Sequence, residues 1–155
     1  MRPFLAAAMS LLWLQSPLVA QHDHAGSPYA HTQSAEIPTL TDEEITQLRN
    51  GEGMGLARAA ELNRYPGPKH TLELAEQLAL DGEQRGALAS IRSAMAGAAI
   101  AKGEAILRTE QQLAEIFESG TVTPATVSRL TQRLGALRGE LQAIHLHAHI
   151  ETTRV

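Results

Sequence analysis

The sequence contains no cysteine, few aromatic residues and no excess of basic charge. Of its 155 residues only 3% are Phe, Trp or Tyr, and the formal net charge is −4. The lack of cysteine excludes disulfide scaffolds, thiolate metal sites and cysteine nucleophiles. The scarcity of aromatic residues argues against an aromatic-rich β-sandwich or barrel. The charge argues against nucleic acid as a partner, because there is no basic excess to neutralise phosphates.

The residues that are abundant, chiefly Ala, Leu, Glu, Gln and Arg, are typical of long helices. The length indicates one domain. The sequence has neither the Gly-x-Ser-x-Gly motif of serine hydrolases nor the His-Glu-x-x-His motif of zinc proteases. We therefore predict a protein that acts by binding and is not an enzyme.

The first 20 residues predict a signal peptide. Arg2 supplies the positive charge, an apolar stretch runs from Pro3 to Leu14, and cleavage is expected after Ala20. An uncleaved anchor is the alternative, which the short apolar stretch disfavours because a span needs about 20 apolar residues. Residues 21–39 are rich in His, Ser, Ala, Gly, Gln and Pro and predict a flexible arm.

Residues 40–155 show helical patterns throughout and predict a single all-α domain. Two capping boxes predict helix starts, one at Thr41 with Glu44 and one at Asp81 with Gln84. We predict a short helix after Thr41, two more over about 54–63 and 69–80, and a long helix from Asp81 to about Ser119. The predicted inner stripe of the long helix consists of apolar residues, namely Leu88, Ile91, Met95, Ala98, Ile106, Leu113, Ile116 and Phe117.

The last helix is predicted to begin at Thr123-Pro124 and carries a heptad pattern. Its apolar residues recur at alternating spacings of three and four: Val127, Leu130, Leu134, Leu137, Leu141, Ile144 and Ala148. The short loop before this helix predicts a long antiparallel helical hairpin, with the shorter N-terminal helices packed beside it. A hairpin alone buries little surface, so the N-terminal helices, a second protomer or both must cover it, and we expect a homodimer.

Two histidines of the last helix form the candidate metal site. His145 and His149 are four residues apart and project from one helix face, whereas His147 points elsewhere. Paired imidazoles suit a divalent transition metal, namely Zn, Ni, Co or Cu. His22 and His24 of the arm are the further predicted ligands, and Glu61 or Glu73 are other possible donors. The alternative is that these histidines are solvated polar residues beside the heptad positions.

One segment resembles the L-T-x-x-Q signature of the Spy/CpxP-like periplasmic proteins. It is Leu80-Asp81-Gly82-Glu83-Gln84, in which Asp replaces Thr, and Leu40-Thr41-Asp42-Glu43-Glu44 is similar to it. Residues 53–63, the Tyr65-Pro66-Gly67-Pro68 stretch and His70 look like the heavy-metal-resistance branch of that family. Members commonly carry another such motif beyond a segment like residues 152–155, so we expect the chain to be truncated at its C-terminus.

The resemblance implies a small, curved, all-α dimer in the periplasm. Some members of the family hold unfolding client proteins without ATP, and others sense divalent metals and signal to an inner-membrane partner. The first hypothesis is therefore a periplasmic heavy-metal-resistance protein that senses or buffers a divalent metal. The alternative is an ATP-independent chaperone (holdase) or an envelope-stress signalling adaptor.

Overall fold

The computed structural model describes residues 36–155, which form five α-helices and contain no β-strand. The predicted all-α class is therefore confirmed. The predicted signal peptide and the histidines at positions 22 and 24 lie outside these residues. The helices are α1 (Asp42–Asn50), α2 (Arg58–Glu61), α3 (Pro68–Glu73), α4 (Gly82–Glu118) and α5 (Pro124–Thr152). Within the described range, no helix is both long enough and apolar enough to cross a bilayer.

Helices α4 and α5 form the predicted antiparallel hairpin, joined by residues 119–123. In the middle of the hairpin, Arg138 Nη2 of α5 donates to Glu110 Oε1 of α4 at 2.8 Å. At the open end, Gln84 Nε2 at the start of α4 donates to the carbonyl of Val155 at 3.1 Å. Residues nearer the N-terminus of α4 thus contact residues nearer the C-terminus of α5, as expected for antiparallel helices.

The heptad pattern of α5 faces the core as predicted. Five of its seven apolar residues are buried, while Val127 and Ile144 are half-buried: the buried ones are Leu130, Leu134, Leu137, Leu141 and Ala148. The prediction for α4 was partly wrong, because Ala98 and Phe117 are exposed. Helix α4 packs against α3, α1 and α5 at different points along its 37 residues, so no single stripe is buried throughout.

The predicted helix starts are confirmed. Thr41 Oγ1 accepts from the amide of Glu44, and Asp81 Oδ1 accepts from the amide of Gln84 at 2.8 Å. Helix α5 has a third capping box, in which Thr123 caps the amide of Thr126. The sequence analysis did not predict this one, because a threonine there lacks the long side chain of the usual Glu or Gln.

The two short helices α2 and α3 are each shorter than predicted. The predicted helix over 54–63 is reduced to Arg58–Glu61, and the one over 69–80 to Pro68–Glu73. Met54, Arg64 and Ala79 have φ values of 46°, 67° and 52°. These left-handed conformations interrupt a right-handed helix. We call residues 51–70 the strap.

The strap crosses α5 and is tied to it by backbone carbonyls. Gln142 Nε2 of α5 donates to the carbonyl of Leu56 at 3.2 Å, and the ring of His149 bonds to the carbonyl of Tyr65. These bonds replace some of the intrahelical bonds that a longer α2 would have made. The path of the strap is therefore set by its hydrogen bonds to α5 rather than by its own helix propensity.

The last residues of the predicted arm belong to the packed structure. Ile37 is buried with Leu40 in the main core cluster. Thr39 Oγ1 donates to Glu110 Oε2 at 3.1 Å, so the buried Glu110 carboxylate links this segment to the hairpin. The core contact is made by Ile37, an isolated apolar residue that carries no periodic pattern. Packing that starts before Leu40 could therefore not be read from the sequence.

The end of α1 packs directly on α4 at Gly103. A Cβ added at Gly103 would lie 2.8 Å from the carbonyl carbon of Leu48 and closer still to its oxygen. Contacts under 3.0 Å are essentially never seen for real Cβ atoms, so only glycine permits this packing. Gly97, in the same helix, has no atom within 4 Å of its added Cβ.

This difference predicts opposite effects for two matched substitutions. Gly103→Ala should lower the free energy of unfolding by about 1–3 kcal/mol, because α1 must move away from α4. Gly97→Ala should raise it by about 0.5–1 kcal/mol, because alanine favours the helix and meets open space. Urea denaturation of both variants measures the two values. Equal changes would show that the contact between Leu48 and Gly103 is not tight.

Candidate functional site

His145 and His149 lie side by side in the interior of the protein. Their exposed fractions are 3% and 6%, whereas His147 between them is exposed. The predicted separation of the pair from His147 is confirmed. Four residues of helix place successive Cβ atoms about 5–6 Å apart on one face. The alternative interpretation, that His145 and His149 are solvated, is wrong, because the strap covers the face of α5 that carries them.

The orientation of His149 is set by a backbone carbonyl. Its Nδ1 lies 2.7 Å from the oxygen of Tyr65. A carbonyl oxygen can only accept, so Nδ1 carries the proton and donates. In the neutral ring the lone pair is then on Nε2. An imidazole held by a carbonyl in this way is the usual second-shell arrangement of a metal-binding histidine.

Gly67 of the strap lies against the same imidazole ring. A Cβ at this position would be 2.9 Å from both Cε1 and Nε2 of His149. Pro66 and Pro68 flank Gly67 and favour extended backbone, which presents the Tyr65 carbonyl to the ring. From sequence, Tyr65-Pro66-Gly67-Pro68 indicates a break between helices, whereas in the structure it also tethers His149. The sequence feature that could have indicated this role is a glycine between two prolines.

His145 has no comparable tether. Its Nε2 is buried and has no hydrogen-bond partner among residues 36–155. Burial, and to a smaller extent the nearby His149, lower the pKa of His145 below its ordinary value of 6.5. The ring is therefore neutral at pH 7. Buried polar atoms are nearly always bonded in folded proteins, so an unpartnered nitrogen calls for an occupant such as water or an ion.

Both imidazoles line a cavity of about 580 Å³ between the strap and the hairpin. Its walls come from the end of α1, from the strap, which includes Glu61, and from one face each of α4 and α5. Helix α4 contributes the guanidinium of Arg92 and the thioether of Met95. The cavity therefore combines two imidazoles with charged groups on the surrounding walls.

The other predicted donors divide between this cavity and elsewhere. Glu61 lines it, but Glu73 instead faces His70, whose Nδ1 lies 3.0 Å from Glu73 Oε2. In the described range, no group of three or more His, Asp or Glu side chains is arranged to hold a metal ion. Met95 is a soft donor that the sequence analysis assigned to the core stripe alone. Only two nitrogen donors are thus in place together.

Comparison with protein families, with curated proteins and with solved structures found no match to this chain. The likeness to the Spy/CpxP-like proteins accordingly stays a prediction from the quoted motifs.

The lowered pKa of His145 predicts that acid destabilises the protein. The unfolded chain takes up this proton near pH 6.5, before the folded chain does, so stability falls as the pH drops through and below 6.5. The loss per pH unit for one group is at most about 1.4 kcal/mol. Urea denaturation between pH 7.5 and 5.0 measures it, with His145→Gln expected to flatten the dependence.

His147→Gln is the matched control, because that exposed ring lies on the same helix. It should leave the pH dependence unchanged. The other titratable or charged groups that line the cavity are retained in both variants: Glu52, Glu61, Lys69, His70, Arg92 and His149. If His145→Gln and the wild type lost stability in parallel, some other group would be responsible.

Proposed function

We propose that the protein binds a divalent transition-metal ion between His145 and His149 and serves as a periplasmic metal sensor or buffer of the heavy-metal-resistance type. The observation that carries this proposal is the buried Nε2 of His145, which has no partner in the described residues and belongs to a ring that shares a cavity with the imidazole of His149. A metal ion would satisfy both nitrogens. Zn, Ni, Co and Cu all accept imidazole ligands.

The tether of His149 supports the same proposal. With its Nδ1 proton on the Tyr65 carbonyl, the uncharged ring carries its lone pair on Nε2, the atom that would bind an ion. The lowered pKa of His145 keeps its ring unprotonated, so no proton must leave before an ion binds at pH 7. Both rings are thus prepared as ligands rather than as acids.

The small number of donors supports a sensor or buffer over a permanent structural site. Structural zinc sites are closed by four protein ligands, whereas only two nitrogens are assembled here. The remaining positions would be filled by water, by Glu61 or Met95 of the cavity wall, or by His22 and His24. Recruiting a ligand from the strap would pull the strap towards α5, which is a means of reporting that the ion is bound.

The metal proposal predicts a loss of affinity in two single variants. Titration calorimetry of the full chain with Zn²⁺, Ni²⁺, Co²⁺ and Cu²⁺ should show one site per chain. His145→Ala and His149→Ala should each weaken it by at least about tenfold, since even outer-shell changes cost 10–100-fold. Affinity should fall below about pH 6.5, where protons compete for the imidazoles.

His147→Ala is the control and should bind as the wild type does. The His22→Ala/His24→Ala variant reports on the arm: weaker binding would add its histidines to the site, and unchanged binding would leave the site to residues 36–155. Equal affinities for the wild type, His145→Ala and His149→Ala would overturn the proposal.

A second function, shielding of unfolded client proteins, is favoured by the apolar residues that the connecting segments expose. Leu62, Leu74 and Leu78 are 77%, 50% and 53% exposed. Exposed leucines suit contact with other apolar chains. The protein would then act as an ATP-independent holdase, or as an adaptor that docks on a membrane-bound signalling partner.

The holdase function predicts that an equimolar amount of the protein suppresses the aggregation of a heat-denatured model client. Light scattering measures the suppression, which should persist in the presence of EDTA. Replacing Leu62, Leu74 and Leu78 by Ser should remove most of it, because the exposed apolar area is lost, while His145→Ala should not. Suppression that required metal would instead assign the effect to the imidazole site.

A further inference from the structure

We propose that the cavity takes its metal ion as a complex with a small organic carboxylate, with the ion on His145 and His149 and the carboxylate on Arg92. This inference rests on the proposed function, since it names the form in which the metal arrives. Three observations carry it: the size of the cavity, the number of protein ligands and the balance of charge on its walls.

The cavity is larger than an ion alone requires. Its volume is about 580 Å³. A hexahydrated ion occupies roughly 200 Å³ if each water takes about 30 Å³. Pockets for small organic ligands measure about 300–1,000 Å³. The space is therefore that of a small chelate rather than that of a bare ion.

The protein leaves most of the coordination sphere unfilled. His145 and His149 supply two nitrogens, and no third His, Asp or Glu is arranged with them within residues 36–155. An octahedral ion such as Ni²⁺ then keeps four open positions, and a tetrahedral ion keeps two. A chelator with two or three donor atoms supplies ligands for such positions.

The charges on the cavity wall favour an electrically neutral guest. Lys69 and Arg92 are balanced by Glu52 and Glu61, and the histidines are not counted. A bare divalent ion would bring two uncompensated positive charges into this balanced surface. Its complex with a dicarboxylate brings none.

Arg92 is the group suited to hold a carboxylate. It lines the cavity from α4 and has no hydrogen-bond or ion-pair partner in the described part of the chain. Lys69, by contrast, has Glu73 Oε1 within 3.9 Å, and Glu52 accepts from Asn50 at 3.0 Å. A guanidinium binds a carboxylate through two parallel hydrogen bonds, which orients the chelator as well as attracting it.

The test compares two nickel complexes that differ in their carboxylates. Ni²⁺–iminodiacetate is neutral and carries two carboxylates, whereas Ni²⁺–diethylenetriamine is a dication with none, and each chelator has three donor atoms. Calorimetry measures the affinity of each complex for the full chain and, as a reference, for free imidazole. Relative to imidazole, the protein should prefer the iminodiacetate complex by about tenfold, a difference of 1.4 kcal/mol.

Arg92→Gln separates this inference from the proposed function. It should abolish the tenfold preference without weakening the binding of Ni²⁺–diethylenetriamine, because it removes a positive charge that opposes the dication. Arg129→Gln, an exposed arginine of α5, is the control and should keep the preference. A preference equal to that of free imidazole, or one that survives Arg92→Gln, would overturn the inference.

Three further outcomes are decisive. Binding of Ni²⁺ alone without binding of the iminodiacetate complex would leave the metal site standing and overturn the chelate. Binding of either complex that survives replacement of both His145 and His149 by Ala would overturn the metal site as well. No binding of nickel in any form would overturn the inference, and no binding of Zn²⁺, Co²⁺ or Cu²⁺ either would overturn the proposed function as well. Circular dichroism of each variant checks that the helices are retained.

Discussion

The packing of the α5 leucines against α4 is the constraint on which the position of every other element between residues 36 and 155 depends. Leu137 and Ile106 are fully buried at the centre of this contact. Because α5 is packed along its length, each of its faces contacts one neighbouring element. The face that carries His145 and His149 is left for the strap to cover.

The strap covers that face through its backbone rather than through apolar side chains. Left-handed residues at Met54 and Arg64 turn the chain out of helical conformation. The carbonyls that this releases accept hydrogen bonds from side chains of α5. Gly67 then allows the strap to lie directly on the His149 ring. The strap thus lacks some helical hydrogen bonds and is hydrogen-bonded to the hairpin instead.

Burial gives the two imidazoles different environments. His149 has a partner for one ring nitrogen, while Nε2 of His145 has none in the part of the chain that the structure describes. Desolvation keeps the His145 ring neutral, because the charged form would lose its hydration without a compensating partner. A neutral ring with a free lone pair is a ligand at pH 7. The same burial that costs stability in acid therefore prepares the site to bind a cation.

The sequence by itself determined the helices that local chemistry encodes. The capping boxes at Thr41 and Asp81 and the heptad pattern of α5 act over three to seven residues, so they could be read correctly from the chain. The pairing of His145 with His149 followed from helical spacing in the same way. Only the tertiary structure decided that the strap buries this pair, that the Tyr65 carbonyl orients one ring, and that Gly103 admits α1. Each of these depends on residues tens of positions apart, and no local pattern specifies which distant backbone will meet a given side chain.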